Sequence, residues 1–193
     1  MTDSIQLGGS GMLALTRDAL AALRTALFRD VGDAAAGYLQ EAGYAGGAAL
    51  FAAFGTWSRQ HGHGAPEQIP AADFQARATE FFRDLGWGSL TLGSLGDAIA
   101  TLDSDDWGEA DPAAGLELPS CHLTTGMFAD FFGRLAGTTM AVMEVECRSM
   151  GSPHCRFLLG SGESLHHVYE EMSQGATYEV AATTQGRYDV ADN

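Results

Sequence analysis

The placement of three cysteines, Cys121, Cys147 and Cys155, limits how this chain can fold more than any other feature of its sequence. An odd number leaves one thiol over from any set of disulfides, and three thiols close in sequence suit a metal site better. Local pattern places each of them. Ser120 can cap a helix running to about residue 135, on which Cys121, Thr125, Phe128, Phe132 and Leu135 form one stripe. Residues 138–147 alternate as a strand, 150–153 supply turn residues, and 155–159 form a returning strand. The thiols therefore come from a helix start and from both sides of a hairpin neck, where three can converge. A helix N-terminus also favours the thiolate form.

Zinc takes four nitrogen, oxygen or sulfur ligands, so one is missing from the cysteine count. Glu144, Glu146, His122 and His154 are the candidates. Strict alternation puts Cys147 on the face of Met143 and Val145, with both glutamates on the other. A bulge, or the start of the turn near Glu146, is needed to bring Glu144 round.

The stretches Cys121-His-Leu-Thr-Thr-Gly and Glu144-Val-Glu-Cys147-Arg-Ser-Met-Gly-Ser-Pro-His-Cys155-Arg-Phe resemble the 4-vinyl-reductase-like domain family. That family is shared by bacteriochlorophyll biosynthesis proteins, stand-alone proteins and the sensor modules of phenol- and aromatic-responsive activators. Its phenol-sensing members hold zinc with cysteine, glutamate, cysteine and cysteine at the separations of 23, 3 and 8 residues found here. The resemblance thus implies zinc held by Cys121, Glu144, Cys147 and Cys155. It also implies a TRAPP-subunit-like ligand-binding fold and a homodimer. More loosely, Glu41-Ala-Gly-Tyr-Ala-Gly-Gly47 is similar to the family's upstream helix.

Elsewhere, helical spacing of Leu20, Leu23 and Leu27 predicts a helix over 16–29, and Asp33 can cap a second through residue 41. A third is expected over 45–59. Gly43, Gly46 and Gly47 weaken helix propensity by about 1 kcal/mol each and point to a close backbone approach. Phe74, Ala78, Phe81 and Leu85 predict a helix over 73–85, and residues 87–92 and 97–102 read as a β-hairpin. Residues 103–119 read as an acidic, solvated loop. It opens like a calcium loop, but Trp107 and Ala114 stand at ligand positions. A short helix over 164–174 follows. The expected class is α/β (α+β), an antiparallel sheet with packed helices, in a single zinc-containing domain over 1–175 with an extension over 176–193.

The chain carries 25 carboxylates against 10 basic residues, all arginine, for a net charge of −15. Such a surface repels nucleic acid and anionic lipid. The start of the chain has no signal-peptide pattern and no stretch reaches the length of a spanning helix, so a cytoplasmic protein is expected. His61 and His63 sit in a glycine-rich loop without convergent partners, and His166 and His167 fare no better. There is no phosphate-cradling loop, nucleophile elbow, zincin helix, dinucleotide fingerprint or iron–sulfur cysteine set.

With four protein ligands on the metal and no catalytic group in sight, the expectation is a non-enzyme that binds a small hydrophobic or aromatic molecule, as a sensor or carrier. The length leaves no room for the ATPase and DNA-binding modules of the activators, so it is expected to act alone. Tyr44, Phe51, Trp57, Trp87, Trp107 and Phe128 are the candidate pocket residues, although aromatic side chains equally build an ordinary core. The alternatives are an accessory protein or vinyl reductase of tetrapyrrole synthesis, and a protein interaction module.

Overall fold

The computed structural model describes residues 12–184. The signal-peptide reading of the first residues, and the extension beyond 184, lie outside that range. The helices are α1 (Arg17–Val31), α2 (Ala34–Gln60), α3 (Ala71–Asp84), α4 (His122–Ala136), α5 (Gly162–Ser173) and α6 (Tyr178–Thr184). Strands β1 (Thr91–Leu95), β2 (Ile99–Ser104), β3 (Ala141–Glu146) and β4 (Cys155–Gly160) form an antiparallel sheet in the order β1-β2-β4-β3. Among the described residues no helix is long and apolar enough to cross a membrane.

Alternation along the strands gives the sheet two covered faces. Leu102, Phe157 and Leu159 face α2, α3 and α4 in a core with Phe54, Phe81, Phe82, Phe128 and Phe131. Ile99 and Leu158 face α5 and α6, against Leu165, Val168, Ala181 and Ala182. Residues 178–184 are thus not an appendage: two small apolar side chains give α6 a buried face that its polar composition hides. The packed chain extends past the boundary expected at 175.

The two helices expected over 33–41 and 45–59 are one helix, α2, of 27 residues. Its glycines do not break it, because they are where α4 crosses. A Cβ at Gly43 would collide with the backbone of Leu123 and Met127, and one at Gly126 with the backbone of Gln40 and Tyr44. Tertiary packing here overrides glycine's low helix propensity. Gly126→Ala is expected to lower stability by about 3 kcal/mol, the upper part of the range for overpacking, because backbone rather than a movable side chain is in the way. Chemical denaturation reads this directly; an unchanged midpoint would contradict the close crossing.

Candidate metal centre

Cys121 is the N-cap of α4, one residue later than expected. Cys147 follows β3, and a turn through Gly151, whose φ of 88° suits glycine, leads to Cys155 at the head of β4. The three thiols are fully buried, and Glu144 is 8% exposed. Cys121 Sγ lies 3.9 Å from Cys147 Sγ and 4.0 Å from Cys155 Sγ. One ligand atom from each of Cys121, Glu144, Cys147 and Cys155 lies within 4.8 Å of every other, so the four form a group able to hold a metal ion.

Glu144 joins the thiols through a backbone irregularity. It pairs with Phe157 while Glu146 pairs with Arg156, so Val145 is an extra residue in β3. This bulge is the distortion that alternation requires, and it puts Glu144 on the face of Cys147 while Glu146 goes to the other. His122, half-buried, and His154, which stands 3.2 Å from Glu146 Oε2, are outside the four-residue group.

The geometry fits a tetrahedral thiolate site. Zinc–sulfur bonds of about 2.3 Å imply sulfur–sulfur edges of about 3.8 Å, close to those here. The Cys121 amide N–H donates to Glu144 Oε2 at 2.7 Å, whereas Glu144 Oε1 is buried without a hydrogen-bond partner. An orphaned buried carboxylate oxygen is costly, and a coordinated cation would satisfy it. Electrostatics point the same way. Burial, then the charge of Cys147, pushes Glu144 up to about 8. S–H donation from Cys121 and Cys155 draws Cys147 strongly down, and Cys121 is pushed up by its contacts with Cys147 and Cys155 and by burial. These groups cannot all be anionic together unless a cation is among them.

A second buried network holds the same helix start. Glu109, 3% exposed, accepts from the amides of Leu123 (3.1 Å) and Thr124 (2.8 Å) and from the Thr124 hydroxyl (2.6 Å). Its carboxylate satisfies free N–H groups of the first turn of α4. Arg24 of α1, 8% exposed, donates to the carbonyls of Glu109 and Ser120 at 2.6 Å each. Trp107 is fully buried and donates to Thr124 Oγ1 at 2.7 Å. The loop read as solvated is therefore partly core: its tryptophan and one of its carboxylates anchor α4. Asp103 and Arg156 pair on the opposite face of the sheet, so Arg156 does not offset the charge of the centre, and Arg24 is the buried cation at the start of α4.

Of the six aromatic residues proposed for a pocket, Trp87 alone lines a cavity formed by the described residues. Trp57, Trp107 and Phe128 are buried in mutual ring contacts with core phenylalanines, Phe51 packs against Phe131, and Tyr44 is half exposed. The cavity at Trp87, of about 440 Å³, lies under the segment before α1 and is walled by Met12, Leu20, Leu50, Leu85 and Leu123. A larger, more open one of about 690 Å³ runs between α1 and residues 111–120, with Phe28, Leu116, Leu118 and His122 in its walls.

Fold and centre together define an antiparallel-sheet domain of the TRAPP-subunit kind with a buried cysteine–carboxylate cluster. Residues 108–161 match the family model of the vinyl-4-reductase (4VR) domain, so this segment is a domain of that family and the resemblance seen in the motifs holds. No curated protein is detectably similar to the chain in sequence. Among solved structures, the phenol-responsive sensory domain of the transcription activator PoxR, with phenol, is similar at a TM-score of 0.59 and 20% identity. The match covers 79% of this chain and 77% of that one. A vinyl-4-reductase family protein from Methanocaldococcus jannaschii is similar at 0.52 and 17%, over 77% of this chain and 83% of that chain. A trafficking protein particle complex subunit 3 from Naegleria fowleri, covalently bound to palmitic acid, is similar at 0.53 and 13%, over 75% and 91% respectively.

Proposed function

We propose that the chain is a zinc-stabilised domain that binds a small apolar or aromatic molecule without transforming it. Zinc is the metal that suits the donor set. Three thiolates and one carboxylate at tetrahedral separations match its ligand preferences and leave no position for a reacting water or substrate. Zinc at this point fastens the start of α4 to the neck of the β3–β4 hairpin, which makes it structural.

The observation that carries the binding role is the cavity at Trp87, whose walls are mainly apolar and whose volume falls in the range of small-molecule sites. The Trp87 ring stacks on the buried Trp107 at 5.6 Å, so its outer face is held in place for an aromatic guest. The likeness to a phenol-bound sensory domain supports the same reading. No nucleophile–base pair stands beside the cavity among the described residues, which favours a sensor or carrier over an enzyme.

Titration with phenol and other monocyclic aromatics, followed by thermal shift and tryptophan fluorescence, tests this. Ligand at about a hundred times its Kd should stabilise the fold by about 2.7 kcal/mol, and Trp87→Ala should abolish the shift. A response that survives Trp87→Ala but not Phe28→Ala would move the site to the second cavity. No response to any aromatic would overturn the binding role.

A further inference from the structure

The bulge at Val145 divides the hairpin neck between the two faces of the sheet. Glu144, Cys147 and Cys155 stand on one face; Glu146 and Arg156, each next to a ligand in sequence, stand on the other. There they meet β2 and α6. Arg156 donates to both oxygens of Asp103, its cross-strand partner, at 2.7 and 2.8 Å, and to Tyr178 Oη at 2.9 Å. Tyr178 in turn donates to Glu146 Oε1, and His154 Nε2 lies 3.2 Å from the other oxygen of that carboxylate.

The position of this network gives it leverage. The β3–β4 ladder ends at the pair Glu146↔Arg156, so Cys147 lies beyond the last rung. What holds Glu146 against Arg156 therefore sets how far the two hairpin thiols can splay. The side chains of Arg156, Asp103 and Glu146 are 23–24% exposed, and a two-pronged guanidinium–carboxylate contact is more directional than an ordinary surface pair. Tyr178 closes the ring from the first residue of α6.

We propose that Asp103, Arg156, Glu146 and Tyr178 form a rear clamp on the metal centre, with Tyr178 a positioning residue that makes metal retention depend on the docking of α6. Coupling of this kind is reciprocal: whatever α6 does for the metal, the metal does for α6. The centre is in this way connected to the C-terminal helix through the sheet, by contacts that none of the ligands makes itself.

The inference rests on the zinc centre proposed above, and its test separates the two. Zinc loss to a chromophoric chelator is followed well below the unfolding temperature in wild type, Tyr178→Phe, Arg156→Lys and Tyr169→Phe, each first analysed for zinc content. Tyr178→Phe keeps the ring and removes only the hydroxyl; Arg156→Lys keeps the charge and loses the fork. Both should release zinc about 10-fold more readily, the lower end for groups that support metal ligands. In the zinc-loaded proteins, Tyr178→Phe should also raise amide exchange in residues 178–184. Tyr169, 62% exposed on α5, should be silent. Equal zinc retention in wild type, Tyr178→Phe and Arg156→Lys overturns the clamp while leaving the zinc site intact. A wild-type protein that carries no zinc overturns both.

Discussion

Cys155→Ser is expected to yield no soluble folded protein, or a domain melting at least about 15 °C lower, the shift that a loss of about 5 kcal/mol gives at this size. Structural zinc in small domains supplies roughly 10–16 kcal/mol of apparent binding free energy, and most of it is folding free energy. The whole stability of a domain is only about 5–15 kcal/mol. Cys155 also stands where three parts of the molecule meet: β4 beside Ser104 of β2, the start of α4 through Cys121, and the hairpin turn. Without its thiolate the site loses a ligand and leaves Cys121, Cys147 and Glu144 buried together with no shared cation. Thermal unfolding followed by circular dichroism checks this, and an unchanged melting temperature would contradict a structural role.

Glu144→Gln should weaken zinc retention by more than about 100-fold, beyond the range for groups that only support ligands. Glu146→Gln should stay within a few-fold of wild type. The first substitution keeps an oxygen that can accept from Cys121 N–H, so the local hydrogen bond survives while the charged ligand is lost. The second still accepts from Tyr178 through its amide oxygen. The contrast isolates the bulge, which sends two glutamates only two residues apart to opposite faces of the sheet. Chelator competition checks the pair, and the reverse order of effects would mean that Glu146 is the ligand.

The site was more legible in the sequence than the scaffold that holds it. Cysteines at a helix start and either side of a hairpin turn converge for reasons that periodicity alone supplies. Glu144 was different: regular alternation turns it away, and only the family spacing selected it, because nothing in Glu144-Val-Glu announces a bulge. Arg24 and Glu109 were invisible as partners. Arg24 lies 85 and 96 residues from the carbonyls it holds, and by spacing it is a solvent-facing arginine. Burying it turns α1 so that Leu23, expected inward, is half exposed. Glu109 and Trp107 sat in a stretch whose acidity suggested solvent. A signal was present, since a tryptophan amid acidic residues needs a place to go. The glycines of α2 were read correctly as a close approach, yet their low propensity divided one helix into two.

The aromatic residues proposed for a pocket show the limit of composition. A phenylalanine in a core and one in a binding site look alike in sequence. Here Trp107 and Phe128 pack at 5.0 Å inside the core, and only Trp87 reaches a cavity. The features that place it there, the segment before α1 and the turn after α3, have no periodic pattern to read.

The central claim is that Cys121, Glu144, Cys147 and Cys155 hold zinc, and elemental analysis of untagged protein purified through a mild chelator wash tests it most directly. About one zinc per chain is expected, retained by the folded protein and released on denaturation. Well under one equivalent of zinc in folded protein, or another metal at full occupancy, would contradict it.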